Sequence, residues 1–316
     1  MKKVIVFGGG TGLSCLLSGL KQFPIDVTTV ITVSDNGSST GILKKELDIP
    51  AVGDVGKVLI SMANVDEDFV QLLRYRFSKD GSLYNHPVRN IMLAALIDLK
   101  GNLSEAVNCM SRMLNIRGTI LPLTEEKVEL VGINGSEEYY GQVAVSANAQ
   151  NIRRLDYDHR IHVSDAVIEK IGEADLIIFS PGSLYTSILP HLLSPEMLKA
   201  FAAARAPILY VSNIVTQPGE TDHYSVSEHV GVLNSYLKDR KVDIVLSNNS
   251  MPDPEIAEHY LKTEGKEPVL LDREAIRSMD AELIEDDLLS VDDGAIRHNA
   301  LKTAFQIFAF LMRQES

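Results

Sequence analysis

The chain has 316 residues, 45% of them hydrophobic and 23% charged, the make-up of an ordinary water-soluble globular protein with a sizeable core. Its net charge is −13, and the surplus is local: residues 253–293 hold 14 acidic side chains against 4 basic ones, leaving the rest close to neutral. An acidic surface of this kind argues against a nucleic acid partner, because backbone binding relies on Lys and Arg to replace counterions. The two cysteines, Cys15 and Cys109, lack metal-ligand or CxxC spacing and read as buried thiols of a reducing compartment. The apolar run after Met1 stops at the glycines, short of the roughly 7–15 residues of a secretory h-region. No segment reaches the ~18 apolar residues of a membrane span, so a cytoplasmic protein is expected.

In chain order, residues 3–7 predict a buried strand that runs into Gly8-Gly9-Gly10-Thr11-Gly12 and then a helix over 13–22, with Leu13 as its first core residue. A second buried strand is predicted over 27–33, followed by a polar loop from Ser34 to Gly41, and helices over 66–77, 88–99 and 103–114. Residues 127–132 and 138–145, either side of Asn134-Gly135, predict an antiparallel hairpin, a lid or subdomain inserted over 120–158. Then come a helix over 166–171, a strand over 175–179, a strand over 207–211, a helix over 225–237, a strand over 242–246 and a helix over 296–312. Strand, loop, helix, strand is the pattern of a doubly wound α/β sheet, here predicted as one domain over 1–316 carrying the hairpin insertion.

Open α/β sheets bind ligands beyond the carboxyl ends of their strands, so the loops there carry the candidate chemistry. The first, Gly9-Gly10-Thr11-Gly12, is not the dinucleotide G-x-G-x-x-G, because Leu13 stands where the third glycine belongs. Nor is it a P-loop, since no Lys occurs before Lys21 apart from Lys2 and Lys3 ahead of the turn. Consecutive glycines before a helix suit an anion cradle, although a tight turn also uses them. Asp35, 25 residues beyond Gly10, is placed to meet a ribose, orient a metal or act as a base, or simply to form an Asx turn. Asp54 reads as the N-cap of a following helix. His86, Arg89 and Asn90 can donate to phosphate or sugar oxygens. The loop with Gly182 and Ser183 forms a second candidate cradle; it is not a nucleophile elbow, which needs G-x-S-x-G. The loop from Asn213 to Glu220 offers amides and hydroxyls to a base or sugar edge. Two glycine loops with polar loops between them fit a diphosphate, hence a nucleotide-linked small molecule whose base stays open.

The stretches GGGTGLSCLLSGLK, TVSDNGSSTGILKKELDIPAVGD, ADLIIFSPGSLYTSILPHLL and TQPGETDHYSVSEHV resemble the YvcK-like gluconeogenesis factor family, which belongs with the CofD-like 2-phospho-L-lactate transferases. The resemblance implies a Rossmann-like three-layer α/β/α sandwich with a mostly parallel sheet, in the cytoplasm. It also implies a binder of UDP-sugars, notably UDP-N-acetylglucosamine, that links carbon metabolism to cell-wall synthesis and cell shape, with cell-wall synthesis proteins as candidate partners. By the family's pattern, Tyr260 and Arg297 match positions that contact the nucleotide sugar. The ligand-binding set expected is Gly9, Gly10, Thr11, Gly12, Asp35, Asn36, His86, Asn90, Gly182, Ser183, Asn213, Tyr260 and Arg297.

The transferase branch instead moves a phospholactyl group from a guanosine-diphosphate donor onto a deazaflavin, with Mg²⁺. On that alternative Asp35 and Asp54 would be the catalytic or metal-holding carboxylates. The chain departs from the family's pattern there: Asn36 replaces a second acid, Gly56 and Lys57 replace an Arg and an Asn, and Pro87 and Arg89 interrupt a third motif. Lys57 and Arg89 are candidates to restore the lost positive charge. A third reading, an NAD-binding protein, rests on the spacing of Asp35 and has no group for hydride chemistry. Association into a homo-oligomer is left open.

Overall fold

The fold is a computed structural model that describes residues 1–292 and 294–313; Asp293 and residues 314–316, the end of the single domain expected over 1–316, lie outside them. Its strands are β1 (Lys3–Gly8), β2 (Asp26–Ile31), β3 (Thr119–Pro122), β4 (Leu130–Asn134), β5 (Glu137–Tyr140), β6 (Arg154–Tyr157), β7 (Leu176–Phe179), β8 (Ile208–Val211), β9 (Ile244–Asn248), β10 (Glu282–Asp286), β11 (Leu289–Asp292) and β12 (Ala295–His298). Seven of them form one sheet in the order β10-β9-β8-β7-β1-β2-β3, every pair parallel. Strands buried on both faces read as unbroken apolar runs, and β7 (LIIF) and β8 (ILYV) are buried at every position. With helices flanking this sheet, the α/β sandwich expected from the sequence is the fold observed.

The strand order fixes where a ligand can sit. From β1 the chain builds outward through β2 to β3, then returns beside β1 with β7 and builds the other way to β10. The switch point is therefore the β1–β7 pair, whose registered partners run from Val4 with Leu176 to Phe7 with Phe179. Such a reversal leaves a crevice beyond the strands' carboxyl ends. Beneath it lies an aromatic floor: the Phe7 ring is 5.2 Å from Phe201, 5.3 Å from His191 and 5.7 Å from Phe179, with the first two contacts edge-on.

Several boundaries differ from the sequence expectation. The first helix is Gly10–Leu20: extended Gly9 and left-handed Gly10 (φ 67°) turn the chain out of β1 at once, so the helix begins two residues before Gly12. Residues 296–298 are β12, paired antiparallel with β11, and the last helix is Ala300–Arg313. There the burial alternates, with Ile296 and His298 inward and Arg297 outward, a period of two that the apolar spacing of a helix overlapped.

The hairpin around Asn134-Gly135 forms, with Gly135 at φ 63°, but Gly141 (φ 82°) ends β5 and residues Gln142–Asn148 are helical. β6 adds a third strand in the order β5-β4-β6. The edge strands β3 and β10 and the helices Ser38–Glu46, Pro195–Ala203 and Pro254–Glu264 had no counterpart in the sequence reading.

The helix Val226–Leu237 starts where expected because Ser225 and Glu228 form a reciprocal capping box. Replacing Ser225 with Ala is expected to lower stability by about 1 kcal/mol, read as a shift in the urea midpoint at unchanged slope.

Candidate functional site

At the carboxyl end of β1, the first turn of the helix Gly10–Leu20 points its unpaired N–H groups and positive dipole end into the crevice. The loop after β7 closes against it. A Cβ on Gly12 would stand 2.1 Å from the Pro181 carbonyl oxygen, so the two loops touch backbone to backbone and only glycine fits. Between them and the loop after β8 lies a cavity of about 470 Å³. Its walls include Gly9, Gly10, Thr11 and Gly12 on one side, Gly182, Ser183 and Asn213 on a second, and Tyr260 and Arg297 on a third. Nine of the thirteen expected ligand-binding residues thus converge from five separate segments.

The geometry divides these nine by what their polar atoms are already doing. Asn213 accepts from the Gly182 N–H at 2.8 Å and donates to the Gly182 carbonyl at 2.9 Å, a two-point clamp that fixes the loop and uses both ends of its amide. Ser183 caps the short helical segment Leu184–Ile188, accepting from the Thr186 N–H at 3.1 Å, and donates to Glu220 at 2.5 Å. Glu220 is fully buried and also accepts from Ser146 at 2.5 Å and from the Tyr185 N–H at 3.3 Å. Burial pushes its carboxyl above the ordinary glutamate range, against these hydrogen bonds. The loop after β7 is therefore a rigid wall, held from behind by Asn213 and Glu220. His191, also buried, lies 3.3 Å from the Gly8 carbonyl and steadies the end of β1.

The third wall is a ring and a cation. Tyr260 is 6% exposed and packs with Ile214 and Ile296; its hydroxyl accepts from the Ile296 N–H at 2.8 Å. That bond ties β12 to the helix Pro254–Glu264 and so places Arg297, the next residue. The Lys266 ammonium lies 5.9 Å from the centre of the Tyr260 ring, and Thr216 and Gln217 complete this end. Among the described residues, Arg297 has no hydrogen bond or ion pair from its side chain. A strongly acidic chain has thus gathered Lys57, Lys266 and Arg297 around one cavity, with Glu264 as the carboxylate on its wall.

Four expected residues lie outside that cavity. Asp35 accepts from the Gly37 N–H at 2.8 Å, and burial, together with the charge of Asp54, holds its carboxyl above the usual range. Asp54 does not cap its helix: Val52 precedes the first turn of Gly53–Met62, and Asp54 instead pairs with Lys57 at 2.8 Å. Its other oxygen faces Gly9, where a Cβ would meet it at 2.7 Å. His86 and Asn90 are buried around the Ser39 hydroxyl, at 2.9 Å and 3.2 Å. The Asn36 amide donates to Glu129 at 3.4 Å and abuts Gly141, joining the loop after β2 to the inserted three-stranded sheet.

Lys266 and Arg74 escaped the sequence reading. Neither sits in a loop after a strand, and nothing local in the chain marks them. Among the described residues no group of three or more His, Cys, Asp or Glu side chains is placed to hold a metal, and no helix is long and apolar enough to cross a membrane.

Residues 4–289 match the sequence model of the family described as 2-phospho-L-lactate transferase CofD. The chain is 39% identical over 304 residues to the protein of Bacillus subtilis (strain 168) named gluconeogenesis factor, covering 96% of each. It is 35% identical over 314 residues to the gluconeogenesis factor of Listeria monocytogenes, covering 99% of this chain and 96% of that one. The crystal structure of a UPF0052 family member from Bacillus halodurans superposes with a TM-score of 0.93 at 36% identity, covering 97% of this chain and 99% of that chain.

Proposed function

The chain belongs to the CofD family, alongside the proteins named gluconeogenesis factor, and from that premise we propose that it is a regulator that binds a nucleotide sugar of the UDP-N-acetylglucosamine kind. The observation that carries this reading is the placing of unpaired helix N–H groups and an unpartnered arginine on facing walls of the switch-point cavity. A diphosphate against Gly10, Thr11 and Gly12 satisfies the helix start, and the Arg297 fork pairs two of its oxygens. Tyr260 offers a ring face to the sugar or uracil, and Thr216 and Gln217 offer polar edges.

Occupancy would report the supply of activated sugar, and so link carbon metabolism to cell-wall synthesis and cell shape through partner proteins of that machinery in the cytoplasm. NAD is the weaker ligand, because Asp35 stands off the cavity wall where a ribose would need it.

Calorimetric titration with UDP-N-acetylglucosamine, GDP and NAD tests the reading. Saturable binding of the UDP-sugar is expected, and tight GDP binding without it would overturn the proposal. Arg297→Gln should weaken UDP-sugar binding roughly 10- to 100-fold, the worth of a hydrogen bond to a charged group. Its melting temperature should stay close to wild type, since the side chain points outward from β12.

A second reading, a CofD-like Mg²⁺-dependent transferase, is favoured by Asp54 behind Gly9 and by Asp35, whose carboxyl feels the charge of Asp54. The donor set fits the cation in part: a phosphate-borne Mg²⁺ takes one or two carboxylates from protein, but Asp54 already holds Lys57. Bound there, the cation would neutralise charge on the diphosphate. Asp35 and Asp54 would hold it, and Arg297 would orient the donor's phosphates. Release of nucleoside monophosphate from a guanosine-diphosphate donor in the presence of Mg²⁺ would favour this reading over the first.

A further inference from the structure

Beside the nucleotide cavity, on the far side of the helix start, lies a second chamber of about 330 Å³ lined by Thr11, Ser14, Lys57, Arg74, Arg89 and Arg297, with Ile60 and Ser61 at its floor. Arg74 and Arg89 do not reach the first cavity. Arg89 is 7% exposed, its Nε is buried without a hydrogen-bond partner, and among the described residues no carboxylate pairs with it. Its nearest charges are mostly alike: Arg74 and Arg76 repel it, and only Asp54 attracts it, so burial and like charge pull its pKa down to about 10.

The other carboxylates nearby are committed or distant. Asp54 is paired with Lys57, and Glu67 reaches Arg74 only at 3.8 Å in an exposed pair, which contributes little. A buried guanidinium without a counter-charge destabilises the fold unless something neutralises it. A diphosphate at the Gly10–Gly12 turn would share its cavity with Lys57 and Arg297, whereas Arg74 and Arg89 do not line that cavity.

We infer that this chamber is a second anion site, built for the phosphate of a small phosphomonoester that binds next to the nucleotide sugar. A phosphomonoester carries about two negative charges at neutral pH and presents three oxygens, enough to engage two guanidinium forks and the Lys57 ammonium at once. Only the donors that face both cavities, Thr11, Lys57 and Arg297, are shared, so the two ligands sit side by side and sense each other through those three residues. The site stands on the orphaned arginine and does not depend on the identity of the nucleotide.

The test is titration of the full chain with inorganic phosphate and with glucose 6-phosphate at matched ionic strength, with and without saturating UDP-N-acetylglucosamine. Expected is one phosphate site per chain that persists with the nucleotide sugar bound. Arg89→Gln and Arg74→Gln should each weaken it roughly 10- to 100-fold while UDP-sugar binding survives. Arg74 is exposed, so its variant folds and reads the site even where the buried Arg89 variant does not. Phosphate displaced stoichiometrically by the nucleotide sugar would overturn the separate site, as would phosphate affinity unchanged in Arg74→Gln or an effect that chloride reproduces. Phosphate binding in a chain that ignores every UDP-sugar would sink the nucleotide reading and leave this one standing.

Discussion

Gly12→Ala is expected to weaken nucleotide-sugar binding by about a hundredfold or more and to cost about 1–3 kcal/mol of stability. The added methyl group would stand 2.1 Å from the Pro181 carbonyl oxygen and 2.7 Å from its carbon, both backbone atoms that cannot swing aside. The helix start and the loop after β7 would have to part, and a diphosphate needs both walls at once. Losing two charge-assisted hydrogen bonds at ~1.5–3 kcal/mol each accounts for the affinity change. Gly172→Ala is the matched control, because nothing lies within 4 Å of its added methyl and its helix Asp165–Glu173 is remote from the cavity. Calorimetry on both variants, with urea titration for stability, reads the two effects separately. Equal affinity in Gly12→Ala and wild type would mean that the two loops do not grip one ligand.

Acidification should remove several kcal/mol of stability, and two buried histidines carry most of it. Desolvation depresses His191 and His298 from 6.5 to about 4. A histidine whose folded pKa is depressed takes up its proton first in the unfolded chain. Its stabilisation is complete above the unfolded pKa and is lost as pH falls from about 6.5 towards 4. By pH 5 each contributes a loss of about 2 kcal/mol. His229, also depressed by burial, acts with the same sign.

Glu220 and Asp35 act oppositely, since their raised carboxyls favour the folded state as pH falls towards the ordinary carboxylate range. His298→Gln separates the terms. Glutamine can keep the donor to the Ser212 carbonyl, which His298 now faces at 3.0 Å, and cannot titrate. The drop in unfolding free energy between pH 7.5 and pH 5 should shrink by about 2 kcal/mol in that variant. An unchanged drop would show that His298 does not resist protonation. The same acid range should loosen the site, because His191 faces the Gly8 carbonyl beneath the glycine turn and His298 ends the strand that carries Arg297.

The elements that were legible in the sequence are those whose burial is local and periodic. β7 and β8 are apolar throughout, and β1 and β2 are buried at every position after the first, with Thr28 and Thr29 the polar residues inside β2. The capping box at Ser225 announces its helix in four residues. The edge strands were not legible for physical reasons. β10 reads ELIED because one side is covered by β9 alone, and β3 is four residues long and ends in proline. β12 reads as the start of a helix in the sequence, since Ile296 falls in apolar register with the residues that follow Ala300.

At the site, the glycine turn was readable because its constraint is steric and lies within five residues. What could not be read was the use to which each polar side chain is put. Asn213 spends its amide on Gly182, Ser183 its hydroxyl on Glu220, and Asp54 its carboxylate on Lys57, all through contacts that the chain trace alone brings about. The neighbourhood of Arg89 is of the same kind: only packing shows that it is buried among like charges.

The most direct measurement is a crystal structure of the chain with UDP-N-acetylglucosamine bound at saturating concentration. The diphosphate should lie against the N–H groups of Thr11 and Gly12 with the Arg297 guanidinium within 3.2 Å of its oxygens, a normal charge-assisted hydrogen bond, and with the Tyr260 ring beside the sugar or base. Electron density for the nucleotide away from the β1–β7 switch point, or none at all, would contradict the account.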